Sequence, residues 1–292
     1  MKLISDFVGA TLKEYICDIT ARRIMNYAAA IGDTNPLYFN DESPEGIIAP
    51  PLFPVALTWP IVENIMDYLD APSFPHEVLL TQVHYSEQLN IHRPVKPGCR
   101  LTIKGVIAAI EPHRAGTYVI IKFDARDGDG NHYFTEYLGA MMRGVVCEGE
   151  GKGGKSVPPV PKQPKESATL WESVIPIDPL APFIYDGCTN IYFPIHTSVQ
   201  FAHQVGLPGI IHQGTSTLAM AVHNVLNREA GGDPLRVGTI YCRFSGMVLP
   251  GSAIRVCLTG RDKVSGGTDL FFTVLNAEEK RAISDGCIRL QD

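Results

Sequence analysis

Proton-moving side chains concentrate in two short segments. Gly32-Asp33-Thr34-Asn35-Pro36-Leu37-Tyr38 carries a carboxylate in a turn, and Asn190-Ile191-Tyr192-Phe193-Pro194-Ile195-His196 ends on an imidazole behind a proline. Histidine titrates nearest neutrality, which makes His196 a candidate acid/base. Asp33 suits an Asx turn as well as it suits proton transfer, because aspartate bonds its own backbone two residues on. A third segment, Gly209-Ile210-Ile211-His212-Gln213-Gly214-Thr215, leads into an apolar helix and offers His212 as a second imidazole. His84, His92, His113 and His132 fall on strands or turns and are expected in solvent.

The elements that position these residues repeat. Tyr27 and Pro36 recur as Tyr185 and Pro194, Gly46-Ile47-Ile48 as Gly209-Ile210-Ile211, and Val95-x-Pro97-Gly98 as Val248-x-Pro250-Gly251. Three echoes in one order, at offsets of 153 to 163, indicate a duplicated domain. In each half a helix buried on all sides precedes strands of period two. The first half is expected to hold an edge segment over 1–17, a helix over 19–31 capped by Asp18 or Thr20, and an apolar helix over 52–69 in which Pro60 forces a kink or boundary. Strands follow from 78 to 146, with Asp127-Gly128-Asp129-Gly130-Asn131 as a hairpin turn. The second half is expected to place its helix over 215–229 and strands over 239–244, 254–260, 270–275 and 283–290. The domains are read as 1–147 and 168–292, joined by a Gly-, Pro- and Lys-rich linker over 148–167 in which Lys152, Lys155, Lys162 and Lys165 are solvated.

Composition narrows the function classes. At 292 residues, 45% hydrophobic, each half can bury a core. A net charge of −6 supplies no basic field for nucleic acid or an anionic membrane surface. The seven cysteines form no C-x-x-C pair or tight cluster. They read as reduced thiols of a cytoplasmic protein, with no metal site. No apolar run approaches the roughly 20 residues of a membrane span.

On these segments the chain resembles the MaoC-like dehydratases, a family of double hot-dog proteins. That family includes (R)-specific enoyl-CoA hydratases and the dehydratase subunits of fatty-acid synthesis. The likeness is carried by Asp33 to Tyr38, by Pro194-Ile195-His196-Thr197, by Arg93-Pro94-Val95-Lys96-Pro97-Gly98, and by Arg243-Phe244 with Val248-Leu249-Pro250-Gly251. It implies an α+β double hot-dog fold: two antiparallel sheets, each wrapped around a central helix, packed as a pseudo-dimer. It also implies a hydro-lyase that adds water reversibly to a 2-enoyl-CoA. There would be no cofactor beyond the coenzyme A of the substrate, and a homo-oligomer is possible.

The family's motif is Gly-Asp-x-Asn-Pro-aliphatic-His, and neither half holds it whole. The first half keeps Asp33 but has Tyr38 in place of the His. The second keeps His196 but has Ile191 and Phe193 in place of the Asp and Asn. The resemblance therefore points to His196, His212, Asn190 and Asp33 as catalytic candidates. Hydration needs a base for water, an acid for the α-carbon, and donors for the developing enolate-like oxygen. Gln213, Gly214 and Thr215 open the buried helix, where backbone N–H groups lack internal partners. Coenzyme A is a polyanion, so Arg93, Lys96, Arg100 and Arg243 beside the two Pro-Gly turns are candidate phosphate contacts. The incomplete motifs equally suit a non-catalytic acyl-CoA binder or an inactive partner subunit. A thioesterase-like hydrolase would need a carboxylate near the helix start, and the sequence shows none there.

Overall fold

The computed structural model describes residues 1–163 and 168–292; linker residues 164–167, Lys165 among them, lie outside the described residues. Ten strands form one antiparallel sheet: β2 (Thr11–Asp18), β3 (Gln82–Ile91), β4 (Arg100–His113), β5 (Gly116–Arg126), β6 (His132–Arg143), β8 (Trp171–Pro176), β9 (Val237–Phe244), β10 (Ala253–Val264), β11 (Gly267–Leu275) and β12 (Arg281–Gln291). Their order is β2-β4-β5-β6-β3-β9-β12-β11-β10-β8, so the halves meet where β3 pairs with β9. A separate parallel pair joins β1 (Lys2–Ile4) to β7 (Val146–Glu148).

Two buried helices lie against this sheet, α2 (Phe53–Glu63) in the first half and α6 (Gly214–Glu229) in the second. Both belong to one continuous apolar core with the inward faces of the strands. Helices α1 (Ala21–Ala30) and α4 (Ala181–Thr189) pack on each other across the halves. Tyr27 and Tyr185, both fully buried, meet there edge to face at 6.1 Å. The architecture is the double hot-dog that the sequence implied.

Local chemistry explains the boundaries. Thr20 caps α1, its Oγ1 accepting from Arg23 N at 3.3 Å. Pro60 sits inside α2 and cannot donate to the carbonyl of Ala56; Arg23 Nη2 approaches that oxygen at 3.5 Å. The helix stops at Glu63, and a short α3 (Ile65–Tyr68) follows, which divides the single apolar run. The expected hairpin forms between β5 and β6, with Asp127 Oδ1 accepting from the backbone of Asp129 and Asn131.

The expected edge segment contains β2 at one edge of the sheet, whereas β8 and α4 were not anticipated: β8 exposes half of its residues, and α4 contains Pro182 and Gly187, which mask a helical signal. The linker also begins differently from expectation. Lys152 is not free in solvent: it pairs with Asp6, and its backbone exchanges hydrogen bonds with Ile110 on β4. Gly153 follows at φ 87, where a Cβ would meet the Ala108 carbonyl, so only glycine fits this strap.

Candidate active site

The N-terminus of α6 is the centre of the site. Gln213 is its N-cap residue, yet its side chain turns away and donates to Pro182 O at 2.9 Å. The first backbone bond closing the helix is Thr217 N to Gln213 O. The N–H groups of Gly214, Thr215 and Ser216 therefore have no acceptor among the described residues, at the positive end of the helix dipole. Gly214 is exposed, and a Cβ there would come within 2.9 Å of the Phe244 ring. The missing side chain leaves the backbone open to close approach. Thr215 is held from behind, its Oγ1 lying 3.2 Å from the Tyr185 hydroxyl.

The equivalent helix start in the first half is closed. Phe53 N and Val55 N already bond Pro50 O and Leu52 O, and Pro54 between them has no N–H. A cleft of about 70 Å³ lies there, walled by Pro50, Pro51, Pro54, Ile91 and Arg93 among others. The two halves share a backbone plan, but of these two helix starts α6 alone offers a donor cradle among the described residues.

His196 stands beside that cradle on a 3-10 turn, Pro194–His196. Its Nδ1 lies 2.8 Å from the Ile211 carbonyl, and Ile211 N returns a bond to Ile195 O. A carbonyl only accepts, so the ring proton sits on Nδ1 and Nε2 keeps its lone pair. Burial lowers the His196 pKa to about 4. His212 is buried, and neither ring nitrogen has a hydrogen-bond partner among the described residues. Burial, and then repulsion from His196, lowers its pKa to about 4 as well. The fold thus brings His196, His212, Gln213, Gly214 and Thr215 together.

A further imidazole belongs to this cleft. His84 on β3 was expected in solvent; instead it packs on Phe244 at 4.6 Å, and Phe244 in turn borders Gly214. Its Nε2 lies 3.1 Å from Ser86 O and 3.2 Å from Glu87 Oε2, and burial lowers its pKa to about 4. Strand periodicity put His84 on one face of β3 but did not reveal that α6 covers that face. Glu87 and Glu136 of β6 lie deeper, both with no exposed surface. Burial holds both carboxyls well above their ordinary range, toward the neutral form.

The remaining candidates lie elsewhere. Asn190 is exposed and ends α4 in the left-handed region at φ 58. Ile191, at the position of the family's Asp, is buried. Asp33 is buried away from His196: its Oδ1 accepts from Asn35 N at 3.0 Å, and its Oδ2 lies 2.7 Å from Nδ1 of His223 on α6. The basic residues do not form one cluster. Arg100 pairs with Asp18, and Lys96 donates to Glu45 O. Arg243 pairs with Asp285 and Tyr85; its neighbours Cys242 and Phe244 turn toward the helices, so it takes the opposite face of the sheet. Arg93 lines the cleft at the start of α2, which Pro234, Leu235 and Gln291 of the second half also border. Among the described residues there is no cluster of three or more His, Cys, Asp or Glu that could hold a metal, and no helix long and apolar enough to cross a membrane.

Comparison with known proteins agrees with this architecture. Residues 167–280 match the MaoC like domain, and residues 6–136 match the FAS1-like dehydratase domain region. The fold overlays a MaoC-like dehydratase from Phytophthora capsici with a TM-score of 0.83 at 23% identity, covering 98% of this chain and 99% of that one. The enoyl-CoA hydratase ChsH3 of Mycobacterium tuberculosis is 25% identical over 262 residues, 85% of this chain and 86% of that protein. A UPF0336 protein of Streptomyces coelicolor is 26% identical over 131 residues, 43% of this chain and 85% of its own length. The second half thus carries a MaoC like domain and the first a FAS1-like dehydratase region, on a double hot-dog fold that spans the molecule.

Proposed function

We propose that the protein is an acyl-thioester hydratase/dehydratase, interconverting a 2-enoyl-CoA and a 3-hydroxyacyl-CoA at the α6 N-terminus. One observation carries this reading: His196 is bonded through Nδ1 to Ile211, in the segment that leads into three backbone N–H groups with no acceptor among the described residues. The thioester carbonyl accepts from those N–H groups, which stabilise the negative charge that develops on its oxygen. His196 Nε2 takes a proton from water as the oxygen bonds to C3, and C2 is then protonated as the enolate collapses. A neutral imidazole is the form this step requires, and burial keeps His196 neutral at neutral pH. The relative named an enoyl-CoA hydratase supports the same reaction class.

The second reading, a non-catalytic acyl-thioester binder or inactive partner subunit, is favoured by buried Ile191 in place of the family's carboxylate. Mixing the pure protein with short and medium trans-2-enoyl-CoAs separates the two. Hydration consumes the conjugated enoyl absorbance. Tight acyl-CoA binding by calorimetry with no loss of absorbance at any chain length selects the binder.

A further inference from the structure

The site as described has a base and an oxyanion cradle but no carboxyl. The internal repeat locates one. Gly32 at φ 69 and Asn190 at φ 58 end equivalent helices in the left-handed region, and Pro36–Tyr38 and Pro194–His196 form equivalent 3-10 turns, both 158 residues apart. By the same offset Tyr38 corresponds to His196 and Ala28 to Asp186, while the Gly-Ile-Ile echo pairs Ile48 with Ile211. In the first half Ala28, Tyr38 and Ile48 pack into one small buried cluster. In the second half those three positions are Asp186, His196 and Ile211, and the bond from His196 Nδ1 to Ile211 O joins two of them.

Resting on the hydratase reading, we infer that Asp186 is the carboxyl that works opposite His196, replacing from α4 the carboxylate lost at Ile191. Its Oδ2 is buried and has no hydrogen-bond partner among the described residues, which is costly unless the group is used. Burial also raises its pKa, which favours a carboxyl able to carry a proton. No hydrogen bond joins Asp186 to His196. That separation suits an acid and a base flanking the substrate double bond and its water rather than each other. In the hydration direction, His196 takes the water proton as the C3–O bond forms. Asp186, protonated, gives its proton to C2 as the enolate electrons return to form the C–H bond. The proton held by His196 then returns to the carboxylate through solvent, and dehydration runs the same steps backward.

The test is Asp186→Asn, which keeps shape and removes the ionisable proton, with Asp186→Glu as the rescue variant. Turnover of a trans-2-enoyl-CoA is measured across pH, alongside histidine NMR titration of each protein. The expected result is a fall in kcat of about 100-fold or more with KM changed little, as for loss of a general acid/base. The alkaline limb of the rate profile should disappear, and Asp186→Glu should recover part of the rate. The His196 ring signals of the native protein should also shift a second time, above their own titration, as the facing carboxyl ionises, and Asp186→Asn should lose that step. Full kcat in Asp186→Asn, with His196→Ala inert, overturns the assignment and leaves the hydratase reading standing. If the native protein hydrates no enoyl-CoA, that reading fails. The NMR arm then decides the pairing alone: a His196 step lost in Asp186→Asn supports it, and signals unchanged by the substitution overturn it.

Discussion

Asp33 Oδ2 lies 2.7 Å from His223 Nδ1, which joins the turn after α1 to the third turn of α6 in the other half. Asn35 Nδ2 adds a second tie, donating to Gly232 O at 2.6 Å just beyond the end of the same helix. An Asp–His pair does form in this protein, but from two different halves and away from the donor cradle at Gly214. The carboxylate of the first motif has become a clamp between domains.

Asp33→Asn and His223→Ala should therefore lower stability more than turnover. Asp33→Asn weakens this contact by exchanging a carboxylate for an amide and His223→Ala removes it, each costing about 1–3 kcal/mol, and thermal unfolding should shift down by several degrees. Their double mutant should lose less than the sum of the two, because both act on the same contact. Turnover of an enoyl-CoA should stay within a few-fold of the native rate. A dead but stably folded Asp33→Asn would move the working site to the first half.

The His196 imidazole should dominate the chemistry. His196→Ala is expected to reduce kcat by about two orders of magnitude or more, with acyl-CoA affinity by calorimetry nearly unchanged. His212→Ala should also lower kcat more than it raises KM, since His212 adjoins His196 and the helix start. Native rates in both variants would remove the second-half motif from the mechanism.

The open start of α6 can be tested at Gly214. Alanine there adds a methyl that meets Phe244 at 2.9 Å and pushes it toward His84. Alanine is also the better helix former, so unfolding should change little. A fall of about tenfold or more in kcat/KM with stability preserved is the expected outcome, because the carbonyl can no longer seat on the N–H groups. Unchanged kinetics would place substrate elsewhere.

The duplication was legible because its markers are backbone residues: the prolines and glycines of the turns recur at fixed spacing whatever the side-chain chemistry. His196 and the α6 start were legible for the same reason. The groups packed around them were not. His223 lies inside a helix, where nothing in the local pattern distinguishes it from a surface residue, and its partner is 190 residues away. Glu87 and Glu136 are polar residues within strands, and no local sequence pattern marks them as buried. Asp186 sits on a helix whose own signal is broken by Pro182 and Gly187.

The buried titratable groups predict a two-sided dependence of stability on pH. His84, His196 and His212 have folded pKa values of about 4, below the ordinary 6.5. The unfolded chain thus binds more protons than the folded one between those values, and stability is lost as pH falls through that window. Glu87 and Glu136 act in the opposite sense. Their folded pKa values lie well above 4.5, so their contribution is whole below 4.5 and is lost as pH rises toward the folded values. Between 4.5 and 6.5 the two sets oppose each other, and above 6.5 the carboxyl slope remains from these five groups. His84 touches Glu87, so those two ionisations are linked. Glu136→Gln keeps the shape and removes one ionisation. Its thermal midpoint should exceed that of the native protein at pH 8, and the gap should close as pH falls toward 4.5. Parallel midpoint curves for the two proteins from pH 4 to 9 would mean that Glu136 is charged in the folded state.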